Sequence, residues 1–281
     1  MNPNQSTRTN VDYKTILVSD SGHIRTITLN RPERRNAMTP EMQMELIAAF
    51  EDTAASNLRV LILTGTGDAF CSGLDLSALH TMGEKTAAEY RADAERIARL
   101  FLALYELHIP TIAAVHGPAI AGGAGLATIC DFTLATPAAK FGFTEVRIGF
   151  VPALVSAFLA LQIGGRHTRD LLLTGRIIDA AEAYRIGLVN EVVAPEELSK
   201  RAQTLAETLI ANSPQSIKAT KHLIAAQNQT WLNAAIAQSL EASALSRETA
   251  DFREGITAFL EKRKPKWETS SQLGSKPTRP N

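Results

Sequence analysis

Cysteine is nearly absent from this 281-residue sequence, Cys71 and Cys130 being the only two. Two are too few for a disulfide framework or a structural zinc site, and they fit a reducing compartment. Net charge is missing as well, with 29 Lys and Arg against 29 Asp and Glu. Without a basic excess there is no global field to gather nucleic acid or an anionic membrane surface. Long apolar runs are also lacking. The longest, Ile109–Cys130, is broken by Pro110, His116, Pro118 and four glycines, so nothing reads as a transmembrane helix. The opening residues MNPNQSTRTN have no apolar centre and read as neither signal peptide nor anchor. These absences point to a cytoplasmic protein.

Sharper motifs are missing too. Gly123-Ala-Gly125 lacks the third glycine of a dinucleotide fingerprint, because Thr128 stands there. No Gly-Lys-Ser/Thr follows a glycine loop, and there is no G-x-S-x-G elbow that would mark Ser72 as a nucleophile. The six histidines show no H-E-x-x-H spacing. Neither a metal nor a nicotinamide cofactor is expected.

What remains is an ordinary globular composition, 45% apolar and 21% charged. Tyr13–Val18 and His23–Leu29 alternate as a hairpin around Asp20-Ser21-Gly22. Thr39 and Pro40 open an amphipathic helix running to about Ser56. Leu58–Thr64 and Thr111–Val115 are apolar strands, with a long helix from about Glu84 to Leu107 between them. A short helix from Gly122 to Cys130 and a strand over Asp131–Thr136 complete an α/β order with crossover connections. Beyond about residue 195 the pattern is helical only, with Ser213 and Pro214 starting one helix. The division is a disordered N-terminus over 1–12, an α/β core over 13–200, a C-terminal helical region over 201–267 and a disordered tail over 268–281.

Two glycine-rich loops follow the two apolar strands, Phe70-Cys-Ser-Gly-Leu-Asp75 and His116-Gly-Pro-Ala-Ile-Ala-Gly-Gly-Ala-Gly125. Parallel neighbouring strands would bring both loops to one sheet edge. There, exposed backbone N–H groups could form an oxyanion hole. The same glycines also serve tight turns and close helix packing, and the spacing leaves both readings open. Glu145, among Phe141, Phe143, Val146 and Ile148, is either a desolvated acid suited to proton transfer or half of a surface ion pair with Arg147. Four cations crowd Lys262–Lys266, as a solvated helix end or as a patch for a phosphate-rich ligand.

Taken in order, eight segments resemble the crotonase (enoyl-CoA hydratase/isomerase) superfamily. They are Leu29–Met38, Leu61–Gly65, Ala69–Leu76, Ala113–Asp131, Phe141–Pro152, Leu173–Arg176, Ala183–Val189 and Phe259–Arg263. The nearest likeness is to enoyl-CoA hydratases and methylglutaconyl-CoA hydratase-like members. The resemblance implies an α/β spiral of ββα units with a C-terminal helical trimerisation region, assembled as a homotrimer or homohexamer. It implies an acyl-CoA substrate, no separate cofactor and no metal. Position by position, it implies oxyanion donors at the Ser72 and Gly122 N–H groups and a proton-transfer role for Glu145. Arg31, Arg34, Asp75, Lys262 and Lys266 are implied to hold coenzyme A.

One position departs from the pattern. The first glutamate of typical hydratases is replaced here by Gly125, which leaves Glu145 alone. The expected activity is therefore addition of water to an α,β-unsaturated acyl-CoA. A Δ3,Δ2-enoyl-CoA isomerase and a non-catalytic acyl-CoA-binding subunit are the alternatives. The acyl group itself is not readable, since the loop over Ser77–Glu89 that would line its pocket shows no preference.

Overall fold

The computed structural model of the protein describes residues 12–75 and 86–267. The expectations of a disordered N-terminus and tail, and most of the acyl-pocket loop, lie outside the described residues. The hairpin forms as β1 (Ile16–Ser21) and β2 (Ile24–Leu29), paired antiparallel and turned at Gly22 with φ +59°. Strand β3 (Val60–Gly65) joins β2 in parallel, and β4 (Thr111–Val115) joins β3. With β6 (Phe132–Ala135) and β9 (Glu191–Val192), these make a six-stranded sheet in the order β1-β2-β3-β4-β6-β9. A second sheet of three short strands has β7 (Lys140–Gly142) between β5 (Ala119–Ile120) and β8 (Ile177–Asp179).

Strand β3 is apolar over Val60–Leu63 because both of its faces are covered there. Leu61 and Leu63 enter the main core, while Val60 and Ile62 enter a second cluster on the opposite face. The main core is roofed by α1 (Pro40–Ala55) and α2 (Ala87–Tyr105). Thr39 caps α1 by accepting the Met42 N–H, and Pro40 sits at its first position, as the sequence predicts. Helix α2 starts at Ala87 rather than near Glu84, because Thr86 and Glu89 close a reciprocal capping box there. Helix α3 (Gly122–Ile129) is buried along most of its length.

Residues 153–174, for which the sequence suggests no element, form α4 (Ala153–Thr174). Its periodicity is interrupted by Gly164, at φ +70° and ψ 165°, which divides it into two helical pieces. Helix α5 (Ala180–Arg185) precedes β9, and beyond about residue 195 the chain is helical as expected: α6 (Leu198–Ile210), α7 (Pro214–Ser246) and α8 (Ala250–Leu260). Helix α6 runs across the expected 200/201 boundary and lays Leu198, Ala202 and Ala206 on the second face of the large sheet. Helix α7 packs on α2 and α4. Among the described residues, no helix is long and apolar enough to cross a membrane.

Candidate functional site

Parallel pairing of β3 with β4 delivers the two glycine loops to one sheet edge, as the strand pattern predicts. They are tied together there. The Cys71 N–H donates to the Pro118 carbonyl at 3.2 Å, and the Ile120 N–H to the Cys71 carbonyl at 2.9 Å. The approach is so close that a Cβ on Gly123 would stand 2.2 Å from the Cys71 oxygen. That glycine is demanded by contact.

A third turn braces the first loop. Arg35 and Asn36 both adopt positive φ, +50° and +55°. Buried Asn36 donates through Nδ2 to the carbonyls of Thr66, Ala69 and Phe70 at 2.9, 2.8 and 3.2 Å, and its Oδ1 accepts the Arg31 N–H at 2.8 Å. Asn tolerates the left-handed region better than other residues with a Cβ, so it can sit in this turn and bond in both directions.

The expectation for Ser72 fails at this point. Its N–H donates to the Arg35 carbonyl at 3.0 Å and is not available to a ligand. Two residues on, the Leu74 N–H has no acceptor among the described residues, and neither has the Gly122 N–H. Gly73, at φ +89°, turns the chain between Ser72 and Leu74, and a Cβ there would lie 3.4 Å from the Gly122 nitrogen. Leu74 and Gly122 both line a cavity of about 200 Å³. The signal in the sequence for an unengaged N–H at Leu74 is Gly73 itself, whose positive φ turns the chain between Ser72 and Leu74. Ala121, at φ +50° and ψ −123°, holds strained backbone immediately before Gly122 at the start of α3.

Glu145 lines the same cavity from a short 3-10 turn, Glu145–Ile148, that follows β7. It is 8% exposed, and its Oε2 is buried with no hydrogen-bond partner among the described residues. The surface ion pair with Arg147 does not form. Burial pushes the carboxyl up to about 7, against which its own backbone N–H pulls weakly. Helix α8 fixes this turn. Cβ atoms on Gly149 and Gly255 would stand 2.3 Å from the Asp251 and Ile148 carbonyl oxygens respectively.

Gly125 has no room for the missing acid. A Cβ there would lie 2.9 Å from both Phe101 Cζ and Val155 Cγ2, and both of those residues line the cavity. The only ionisable side chains among the described lining residues are Glu145 and Arg247, the latter missed by the sequence reading.

The residues expected to hold a nucleotide tail separate into two groups. Arg31 and Asp75 pair with each other at 2.8 Å, both largely buried, so the Arg31 charge is already balanced. Arg34 is exposed on the turn beside Ser72. At the end of α8, Arg263 is held by Glu254 and Glu261, while the exposed side chains of Lys262, Lys264 and Lys266 make no ion pair among the described residues. Phe259, one turn earlier, lines the cavity, so this cationic end lies beside the chain's own site.

Comparison with known proteins agrees with this architecture. A family model described as enoyl-CoA hydratase/isomerase matches residues 19–270. A chain from Thermus thermophilus is 43% identical over 249 residues, covering 88% of this chain and 98% of that one. The crotonyl-CoA hydratase of Syntrophomonas wolfei is 35% identical over 257 residues, 90% of this chain and 97% of that protein. Among solved structures, an enoyl-CoA hydratase/isomerase from Xanthobacter autotrophicus superposes with a TM-score of 0.82 at 31% identity, covering 90% of this chain and 98% of that one.

Proposed function

This chain belongs to the enoyl-CoA hydratase/isomerase family, and from that premise we propose that Glu145 is the one carboxylate moving protons in its site. The protein is an enoyl-CoA hydratase-type enzyme, one that adds water to an α,β-unsaturated acyl-CoA or removes it. The thioester carbonyl accepts from the Leu74 and Gly122 N–H groups. Their dipoles are already aimed where charge collects as the carbonyl becomes an enolate. Water attacks C3, and the electron pair of the double bond moves toward the thioester oxygen. Glu145, as the carboxylate, takes the water proton and delivers it to C2, leaving itself unchanged at the end of the cycle. The steps break one O–H bond and the C2=C3 π bond and form one C–O and one C–H bond, with no net oxidation or reduction, and call for no resident metal or redox cofactor.

The observation that carries this reading is the orphaned Oε2 of Glu145, on a residue that lines the same cavity as Leu74 and Gly122, whose N–H groups are unengaged among the described residues. A carboxyl near pH 7 can both accept and return a proton at neutral pH. The phosphates of coenzyme A fall to the free cations at the end of α8 and to exposed Arg34. A homotrimer or homohexamer is supported by Leu223, Ile224 and Trp231, which stand exposed on α7.

The test is incubation of the purified protein with 2-enoyl-CoA and, separately, 3-enoyl-CoA. The expected product is the 2-enoyl thioester plus the mass of one water. Conversion of the 3-enoyl thioester with no water gained, and none gained by the 2-enoyl thioester, would overturn the proposal.

A further inference from the structure

Arg247 stands where an apolar acyl chain has no use for it. It follows the last residue of α7 and is 3% exposed, and it lines the cavity that also holds Glu145. Much of the remaining lining is apolar, including Ile97, Phe101, Ile120, Val151 and Leu154. A guanidinium keeps its charge even when buried, although here burial works against it. It makes no ion pair among the described residues. Its Nη1 donates to the Tyr90 carbonyl, the Ser243 carbonyl and Ser243 Oγ at 3.3, 3.3 and 3.2 Å. Its Cζ lies over the Phe150 ring, 4.9 Å from the centroid, and over the Tyr90 ring at 5.8 Å.

All three bonds fall on one nitrogen. Nε is buried with no partner, and Nη2 makes no hydrogen bond among the described residues. The Nε and Nη2 N–H groups form one edge of the guanidinium, and that two-donor fork matches the two oxygens of a carboxylate. Asp93 acts on Arg247 only at a distance, without a direct ion pair, so the cost of burying the cation is relieved when a ligand supplies an anion in contact with it. The cation is anchored through Nη1, flanked by two aromatic rings and, among the described residues, unpartnered along the edge that binds carboxylates.

We propose that Arg247 is a specificity-determining residue that receives a second carboxylate on the acyl chain. The preferred substrates are then enoyl-CoA thioesters of dicarboxylic acids. This rests on the hydratase reading for the chemistry, but the recognition is a separate property of the cavity.

Binding of saturated thioesters tests it without requiring turnover. Succinyl-, glutaryl- and adipyl-CoA are titrated calorimetrically against butyryl-, valeryl- and hexanoyl-CoA of matched length. At least one dicarboxylic thioester should bind about tenfold or more tightly than its neutral counterpart, as a charge-assisted bidentate pair implies. In Arg247→Met the preference should vanish while the neutral thioesters bind as before, and Arg247→Lys should keep part of it. Equal binding of both series by the unaltered protein would overturn the proposal, and that comparison needs no variant to fold. So would an Arg247→Met protein that weakens both series alike, which would make Arg247 only a pin between α2 and α7. A preserved preference with no water added to either glutaconyl-CoA or 2-pentenoyl-CoA would overturn the hydratase reading and leave this one standing.

Discussion

Phe101 occupies the space beside Gly125, its Cζ 2.9 Å from where a Cβ on that glycine would stand. Val155 Cγ2 stands at the same distance, so where the first glutamate is absent the cavity wall is filled with hydrocarbon. Putting the acid back should therefore fail. Gly125→Ala forces a methyl into a filled core, at a cost of about 1–3 kcal/mol, and Gly125→Glu adds an unpaired buried carboxyl to that. Thermal unfolding should show both losses, with Gly125→Glu the larger and no gain in hydration rate. Gly125→Glu combined with Phe101→Ala should recover part of the lost melting temperature. If Gly125→Glu alone is as stable as the parent, the wall is not filled as described.

The pH dependence of Glu145 has a definite sign. Its carboxyl ordinarily titrates at 4.5 and in the fold at about 7, so between those values the folded state holds a proton that the unfolded chain has released. Its contribution to stability is complete below 4.5 and is lost as pH rises through 7, by up to about 3 kcal/mol. Glu145→Gln removes that loss, so the variant should be relatively more stable at pH 8 than at pH 5 when both proteins are unfolded in urea. Its kcat should fall by about 10²–10⁴-fold while acyl-CoA still binds. In the parent enzyme kcat/KM should rise through an inflection near 7, and the variant should lack that inflection.

Which parts were legible in the sequence follows from how local each signal is. The caps at Thr39 and Ser213 and the apolar run of β3 are written in a few neighbouring residues, and they appear where expected. The convergence of the two glycine loops follows from strand order alone. The choice between the Ser72 and Leu74 N–H groups does not, because it depends on a bond to Arg35, 37 positions away in the chain. Arg247 was invisible for the same reason. Its neighbours Tyr90 and Phe150 come from distant segments, and nothing next to it in sequence marks it as buried. Helix α4 was hidden by Gly164, which breaks the helical period within it.

Asn36 should prove a structural keystone of the site. Asn36→Ala deletes four hydrogen bonds and leaves three carbonyls without that donor, while Ala at φ +55° adds backbone strain. At about 1 kcal/mol for each bond, the loss should be about 3–5 kcal/mol in urea unfolding. Asn36→Gly removes the strain but not the lost bonds, and should be less destabilising. Because Arg35 and Met38 hold Ser72 and Asp75 on either side of Leu74, the alanine variant should also lose kcat where it remains folded. An alanine variant within about 1 kcal/mol of the parent would sink this assignment.

Replacing single backbone amides by esters separates the two oxyanion assignments. An α-hydroxy acid at Leu74 removes its N–H and leaves the side chain in place. Losing one oxyanion donor typically costs about 2.7–4 kcal/mol, or 10²–10³-fold in kcat. The same exchange at Ser72 removes the bond to Arg35, so it should lower the melting temperature and leave kcat within a few-fold. The reverse pattern would restore Ser72 as the donor.

The cations at the end of α8 should act on affinity and not on chemistry. Lys262, Lys264 and Lys266 are exposed and make no ion pair among the described residues, whereas Arg263 is already occupied by two glutamates. An exposed charge facing a mobile phosphate contributes about 0.2–1 kcal/mol, so replacing all three lysines by Ala, about 0.6–3 kcal/mol together, should raise KM for an enoyl-CoA by about 3–150-fold. The effect should shrink as salt is added, since charges of this kind are screened over about 10 Å at 0.1 M. The kcat should not change, because Glu145, Leu74 and Gly122 are untouched. The decisive control is the matching enoyl-pantetheine thioester, which lacks the nucleotide and its phosphates. The triple variant should process that substrate with the parent's KM. If both thioesters suffer equally, the lysines support the packing of α8 on the Glu145 turn and do not bind the nucleotide.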